Sequence, residues 1–230
     1  MANSQTRFYG VLAVIFVAGA ALIGYVVVKN QPASAGLAEE AIPALASGEL
    51  VSEEVGVSRG NTEAAVVIEE YADYQCGYCG MVATLTIPQI LENYVDTGKA
   101  RFVFHDFWLG SPVALLGAQA ARCAGDQDAF WAMHKVLMSR QREWGGERDP
   151  GAKFREYAEA LGLDGRAIEE CVDSGQYEQI VLSGRLRAQQ LGLESTPTFI
   201  VNGRRHVGAL GYDQLAAVVE EELAKAAATE

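Results

Sequence analysis

Residues 66–81 read VVIEEYADYQCGYCGM, and this stretch decides the fold. An apolar, β-branched run predicts a buried strand, and an aromatic turn then leads into Cys76-Gly77-Tyr78-Cys79 at the start of a predicted helix. The first turn of a helix has unpaired backbone N–H groups and carries the positive end of the helix dipole. This setting favours a thiolate on Cys76, which makes it the candidate nucleophile, with Cys79 as the resolving thiol.

The spacing of the two cysteines is compatible with more than one kind of site. A C-x-x-C pair can close a small disulfide, but the same spacing occurs in structural disulfides and in half of a zinc site. The strand before the pair and the helix after it favour redox chemistry over both. We therefore expect a redox pair that holds no metal.

Four segments together carry a resemblance to a known family. They are the C-G-Y-C motif, FWAMH at 130–134, AEALGL at 158–163 and STPTFIVNG at 195–203. In this order and spacing, residues 59–230 resemble the DsbA-like thiol–disulfide oxidoreductases of the thioredoxin superfamily. The resemblance implies a thioredoxin-like α/β fold with a helical insertion between the core β-strands. It also implies a protein disulfide oxidoreductase that works by dithiol exchange and needs no cofactor.

The resemblance assigns a role to Glu70, six residues before the first cysteine. In the family this position often carries a buried acid that relays protons to and from the resolving thiol, and burial would raise its pKa. The residues themselves leave another reading open, in which Glu69 and Glu70 are exposed charges at a strand end. Adjacent strand residues face opposite sides of a sheet, so we expect at most one of the two to be buried.

Thr196-Pro197 resembles the family's cis-proline loop. The resemblance implies that the backbone of Thr196 lies beside Cys76, where a substrate chain can pair with it as a short strand. Gly77 and Tyr78 would then belong to the substrate-binding surface as well. An ordinary trans turn proline is the alternative.

An uncharged run of 21 residues, Phe8–Val28, is bounded by Arg7 and Lys29. As a helix it would measure about 31 Å, close to the thickness of a bilayer core. We expect residues 1–29 to be a single-pass anchor in the cytoplasmic membrane, with the catalytic domain on the periplasmic side. Ala33-Ser34-Ala35 matches a signal-peptidase site, so a cleaved signal peptide is the alternative.

Residues 30–58 are rich in Ala, Gly, Ser and Glu and contain two prolines, so we expect a linker. Within it, Leu50–Val57 has a pattern that would suit an added edge strand. We place the start of the catalytic domain at residue 59.

The segment from about residue 112 to 191 shows helical periodicity almost throughout. A plain thioredoxin has no room for it, whereas the DsbA-like branch carries a helical domain at this point. His134 lies in this segment beside two aromatic residues, and we expect it to be structural. The predicted helices are Val113–Ala124, Ala129–Arg140, Ala152–Leu161, Gly165–Ser174 and Tyr177–Leu191.

Cys123 and Cys171 both lie near helix ends in the insertion. Their separation does not fit a zinc finger or ribbon. A structural disulfide is favoured over two isolated buried thiols, because the N-terminus indicates export to an oxidising compartment.

Three further elements complete the predicted domain. A helix runs from Cys79 to about Val95, where Pro88 either kinks it or marks a boundary between two short helices. The run RFVF at Arg101–Phe104 predicts a second core strand, and we expect His105 to follow it in a loop. Near the C-terminus we expect a hairpin of Thr198–Val201 and Arg204–Gly208, and a closing helix at Tyr212–Ala227.

The net charge of −12 argues against nucleic acid and against an anionic membrane surface as partners. We expect an exported dithiol oxidase that introduces disulfides into secreted, cysteine-containing proteins. By resemblance, a membrane quinone-linked DsbB-like or VKOR-like protein would reoxidise it. The alternatives are an isomerase or reductase of the same fold, or a non-catalytic holdase or assembly factor. We expect a monomer, because the linker is too short for the dimerisation domain of DsbC-type isomerases.

Overall fold

The computed structural model describes residues 53–228. The predicted anchor, the alternative cleavage site and most of the linker lie outside these residues. Within the described part of the chain, no helix has both the length and the apolar character needed to cross a bilayer.

One five-stranded sheet organises the described residues, with the strand order β1-β3-β2-β4-β5. The central strands β2 and β3 run parallel, and every other pairing is antiparallel. In β2 the apolar run is buried on the face of Val66 and Ile68, whereas Val67 on the other face is only half-buried, so the prediction of cover on both faces is met only in the second half of the strand. The strands are β1 (Val57–Gly60), β2 (Val66–Ala72), β3 (Ala100–Asp106), β4 (Thr198–Val201) and β5 (Arg204–Val207).

The edge strand β1 lies further along the chain than the sequence suggested. It starts at Val57, where the predicted strand was to end, and pairs with β3. Gly56 precedes it in close contact with His105, where a Cβ atom would lie 2.6 Å from the ring. The predicted linker–domain boundary at residue 58 therefore falls inside a strand and is corrected to a point before residue 57.

Helices cover the sheet and form the insertion between β3 and β4. All five predicted helices of the insertion are confirmed to within one residue at each end. The short helix α5 was not predicted, because four residues are too few to show a period. The helices are α1 (Gly77–Leu85), α2 (Ile87–Ile90), a π-helical turn (Leu91–Val95), α3 (Pro112–Gly125), α4 (Phe130–Ser139), α5 (Gln141–Trp144), α6 (Gly151–Ala160), α7 (Gly165–Asp173), α8 (Glu178–Gln190) and α9 (Tyr212–Ala227).

The predicted long helix after Cys79 is divided rather than kinked. Thr86 separates α1 from α2 and donates a hydrogen bond from its side chain to the carbonyl of Leu210, at 3.0 Å. Pro88 lies in the first turn of α2, where the N–H that proline lacks would have had no helical partner. The boundary interpretation of Pro88 was therefore the right one.

The sheet and the insertion share one apolar core. His134 is buried in it and forms a 2.8 Å hydrogen bond with the hydroxyl of Tyr74, in keeping with a structural role. The prediction of a loop position for His105 is wrong. This residue lies in β3, fully buried and stacked on Tyr71 with ring centroids 4.5 Å apart, because the strand continues two residues beyond the apolar run.

A disulfide joins Cys123 of α3 to Cys171 of α7, with the Cα atoms 6.0 Å apart. This is the pairing that the sequence favoured over two isolated thiols. The cross-link lies inside the insertion, which sets it apart from the C-x-x-C pair at the start of α1.

Candidate active site

Cys76 is the N-cap residue of α1, with an extended backbone conformation. Its sulfur lies 3.4 Å from the backbone nitrogen of Cys79, which donates to it, and 3.5 Å from the carbonyl oxygen of Thr196. The pKa of Cys76 is lowered to about 6, chiefly because the Cys79 thiol donates a hydrogen bond to the thiolate. A hydrogen bond with the side chain of Thr196 and the first backbone N–H groups of the helix act in the same direction, while partial burial opposes them.

Cys79 has the opposite character, although it lies only one turn further along the helix. It is fully buried, and burial raises the pKa of its thiol far above the usual range. The neighbouring Cys76 and the charge of Glu70 raise it further. Both cysteines are free thiols in this structure. The arrangement can therefore hold a thiolate on Cys76 and a protonated thiol on Cys79 at neutral pH.

Glu70 is buried, with 1% of its surface exposed. In the sheet it lies between Phe104 of β3 and Phe199 of β4. Burial therefore raises the pKa of its carboxyl to about 8, and the charge of Cys76 adds to the shift. Glu69 points to the other face, where it accepts a 2.8 Å hydrogen bond from the Tyr71 hydroxyl. One glutamate of the pair is buried in the core, in line with the alternation of a strand.

The peptide bond between Thr196 and Pro197 is cis. Pro197 is buried, and its carbonyl oxygen accepts a 2.9 Å hydrogen bond from the backbone of Gly208. This anchors the loop to the end of the β4–β5 hairpin and brings the carbonyl of Thr196 to the Cys76 sulfur. The structure thus places the predicted loop beside the predicted nucleophile.

An exposed apolar stripe runs along α1, beginning with Tyr78 between the two cysteines. Tyr78 is 68% exposed, and Met81 and Leu85 are also exposed. Positions i, i+3 and i+7 lie on the same side of a helix. Gly77 is exposed at the start of this stripe, and a Cβ atom there would meet nothing within 4 Å. An extended or apolar segment of another protein can therefore approach Cys76 along this side.

Two glutamines next to the site were not singled out from the sequence. Gln141, the first residue of α5, donates from its side-chain amide to the backbone carbonyls of Tyr74, at 2.9 Å, and Cys76, at 3.0 Å. Gln75 donates to the carbonyl of Gly145 at 2.8 Å. A lone glutamine after a helix end carries no sequence pattern, so only the tertiary structure reveals these contacts.

Within residues 53–228, no group of three or more His, Cys, Asp or Glu side chains is placed to bind a metal ion.

A family model described as thioredoxin matches residues 52–221. The chain belongs to the thioredoxin family. The matched range begins with the residues just before β1 and ends inside α9, so it includes both the sheet of the thioredoxin domain and its helical insertion.

Two kinds of curated relative resemble this thioredoxin-family chain. A Na⁺/H⁺ antiporter, NhaA 1 of Salinispora arenicola, is 36% identical over 168 residues, which are 72% of this chain and 24% of the antiporter. A Rickettsia conorii protein named as a protein-disulfide oxidoreductase is 24% identical over 165 residues, 71% of this chain and 59% of that protein. The chain thus spans about a quarter of the antiporter and under two thirds of the second relative.

Solved structures that resemble this thioredoxin-family chain include DsbA proteins. α-DsbA1 of Wolbachia pipientis is 22% identical with a TM-score of 0.69, and the match covers 76% of this chain and 94% of that protein. BdbD of Bacillus subtilis is 23% identical with a TM-score of 0.68 and covers 76% and 96%. The fold is therefore that of DsbA-like proteins, a thioredoxin-like sheet with a helical insertion.

Proposed function

We propose that this chain is a thiol–disulfide oxidoreductase that acts through Cys76 and Cys79. The observation that carries the proposal is the contrast between the two thiols. Cys76 is half-buried with its pKa lowered to about 6, and Cys79 is buried with its pKa raised. Only a thiolate attacks a disulfide, and a thiolate of low pKa is also the better leaving group.

The direction that we propose is oxidation of substrate dithiols. A substrate thiolate attacks Cys76 in the Cys76–Cys79 disulfide, the S–S bond breaks, and Cys79 leaves as a thiolate that takes up a proton. A second substrate thiolate then attacks the substrate sulfur of the mixed disulfide and expels the Cys76 thiolate. Two electrons pass from the substrate to the enzyme. Stabilisation of the Cys76 thiolate favours the reduced enzyme and hence this direction.

Glu70 is the proposed source of the proton for Cys79. Its carboxyl stays protonated up to about pH 8, and its charge interacts with both thiols of the pair. A buried acid near a buried leaving thiolate can neutralise the charge that bond cleavage creates. In the reverse step the same carboxylate would accept the proton from Cys79.

Cysteine-containing exported proteins are the proposed substrates. The exposed apolar stripe at Tyr78, Met81 and Leu85 suits chains that have not yet buried their apolar segments. The backbone of Thr196 offers such a chain a strand-like pairing next to Cys76. A membrane quinone-linked oxidant, DsbB-like or VKOR-like, would restore the enzyme disulfide, and we propose that the enzyme is a monomer.

We also propose the domain organisation expected from the sequence. Residues 1–29 would anchor the chain in the cytoplasmic membrane, a linker would follow, and the catalytic domain would lie on the periplasmic side. The uncharged run Phe8–Val28 supports the anchor, and the Cys123–Cys171 disulfide is in keeping with an oxidising compartment.

The reduction potential of the Cys76–Cys79 pair tests the proposed direction. The full chain in detergent would be equilibrated in glutathione buffers, and the free thiols would be trapped by alkylation and counted by mass. We expect a value near about −120 mV, as for a strong oxidant. A value near about −270 mV would instead indicate a thioredoxin-like reductant.

Two further assays separate the remaining alternatives. An isomerase would restore activity to a substrate with scrambled disulfides, whereas an oxidase would act mainly on a reduced substrate. A Cys76→Ser variant that kept full activity in vivo would support a non-catalytic holdase or assembly factor.

A further inference from the structure

The loop before the nucleophile is held to the helical insertion by two glutamine side chains, which we call the amide clasp. Gln141 of α5 reaches over to the loop and donates both of its amide hydrogens to backbone carbonyls, those of Tyr74 and Cys76. Gln75 reaches in the opposite direction, from the loop to the carbonyl of Gly145 after α5. The Gln75 oxygen also accepts a 2.5 Å hydrogen bond from Ser111.

The Gln141 side chain has little freedom to move. Its amide oxygen packs on Gly80 of α1, where a Cβ atom would lie 2.6 Å from that oxygen and 2.8 Å from the carbonyl of Met138. Its nitrogen lies 3.7 Å from the Met138 sulfur. The other end of α5 is secured by Trp144, which is fully buried and donates a 3.0 Å hydrogen bond to the carbonyl of Leu137. The amide is thus a fixed donor rather than an adaptable one.

The carbonyls that Gln141 binds belong to Cys76 itself and to Tyr74, two residues before it. The Cys76 carbonyl also accepts the first backbone hydrogen bond of α1, from Gly80 at 3.1 Å. With this carbonyl and that of Tyr74 fixed, Cys76 is held in its extended N-cap conformation. That conformation sets the contacts of the sulfur with the Cys79 N–H and with Thr196.

We propose that Gln141 is a positioning residue, through which the helical insertion holds Cys76 as an N-cap with its sulfur against the Cys79 N–H. The insertion thereby contributes to the reactivity of the nucleophile without touching the reacting sulfur. The effect on catalysis rests on the proposed function. The effect on the acidity of Cys76 does not, and it can be measured whether or not the protein catalyses exchange.

A Gln141→Met variant tests the proposal, because methionine has a similar length and no donor. We expect the pKa of Cys76 to rise by about one unit, read from thiolate absorbance against pH in the reduced protein. We also expect the equilibrium with glutathione to shift about tenfold towards the oxidised enzyme, which corresponds to a potential lower by about 30 mV.

Gln127→Met is the matched control. Gln127 also binds backbone groups through its side-chain amide, but within the insertion. Its oxygen accepts a hydrogen bond from the N–H of Asp164 and its nitrogen donates to the carbonyl of Asp164, away from the active-site loop. It should lower stability without changing the pKa of Cys76 or the equilibrium with glutathione. If Gln141→Met lowers stability but leaves both quantities unchanged, Gln141 is merely structural and the proposal is wrong.

A measurement on the unaltered protein keeps the proposal testable if Gln141→Met does not fold. The side-chain amide resonances of Gln141 should shift with pH at the same midpoint as the Cys76 thiolate, whereas those of Gln127 should not. Gln141 resonances that do not respond to this titration would contradict the proposal. A wild-type protein with an acidic Cys76 but no exchange activity would contradict the proposed function alone.

Discussion

Cys76 and Cys79 lie three residues apart in sequence, but they differ in burial and in the direction in which the pKa of the thiol is shifted. The sulfur of Cys76 is at the end of a helix, in contact with N–H donors and with Thr196. The sulfur of Cys79 is buried in the core, where a charge would lose its hydration. Glu70 lies in the same apolar surroundings and interacts with both. In the reduced protein the negative charge is therefore favoured on the Cys76 sulfur and disfavoured on the Cys79 sulfur.

Replacement of Glu70 by glutamine should stabilise the reduced protein in a pH-dependent way. The unfolded chain loses the Glu70 proton from about pH 4.5, whereas the folded protein keeps it to about pH 8. Between these values the unfolded state binds fewer protons, so the carboxyl lowers the free energy of unfolding as pH rises. Glu70→Gln should match the wild type near pH 4 and exceed it at pH 8 by on the order of 4 kcal/mol.

Urea unfolding of the reduced protein at both pH values measures this difference. Glu63→Gln, at an exposed position, is the control for a changed surface charge. A stability gain that is equal at both pH values would mean that the pKa of Glu70 in the folded protein is not raised above its value in the unfolded chain.

At the scale of elements, the insertion is held together by covalent and non-covalent contacts. The disulfide joins α3 to α7, and the hydroxyl of Tyr177 donates to Asp126 near the same helix ends. A second link attaches α3 to the sheet, where Arg122 pairs with the buried Asp106 and also donates to the carbonyl of Val55. The insertion is thereby connected to the strand that lies next to β2.

Removal of the Cys123–Cys171 disulfide should destabilise the protein without changing its redox pair. The bridge closes a loop of 48 residues, so a Cys123→Ala/Cys171→Ala variant should lose about 4 kcal/mol of unfolding free energy. Chemical denaturation gives the loss, and the reduction potential of Cys76–Cys79 should stay at the wild-type value. A potential shifted by more than about 30 mV, a tenfold change in the equilibrium, would show instead that this bridge influences the active site.

At the scale of the whole molecule, the catalytic half and the insertion form one core. Phe104 of β3 packs against Phe130 and His134 of α4, and the loop before Cys76 is bound to α5. Because the active site lies where the catalytic half meets the insertion, the position of Cys76 depends on contacts from both. This is why removal of a single amide in the insertion is expected to reach the nucleophile.

The full chain should remain attached to the membrane after alkaline carbonate extraction. The reason is the 21-residue uncharged run at Phe8–Val28, which is long enough to span the bilayer core. A variant that lacks residues 2–29 should not be found in the membrane fraction. The mass of the mature protein provides the decisive check, because a polypeptide that begins after Ala35 would establish a cleaved signal peptide.

The sequence alone determined those features that arise from local patterns. Hydrophobic periodicity located the five long helices of the insertion, and the C-x-x-C motif between a strand and a helix identified the thiol pair. The burial of Glu70, the position of β1 and the inclusion of His105 in β3 were decided by the tertiary structure. These depend on which strands lie side by side, and strand neighbours are set by contacts distant in sequence.

The amide clasp is the clearest case of a feature that only the tertiary structure decided. Gln141 follows Cys76 by 65 residues, and nothing in its immediate sequence marks it as part of the site. Its importance comes from two backbone carbonyls that the fold presents to one side-chain amide. Local sequence determines which residues carry the chemistry, whereas the packing of the insertion on the sheet determines which side chains hold them in place, because backbone groups become partners only when distant segments meet.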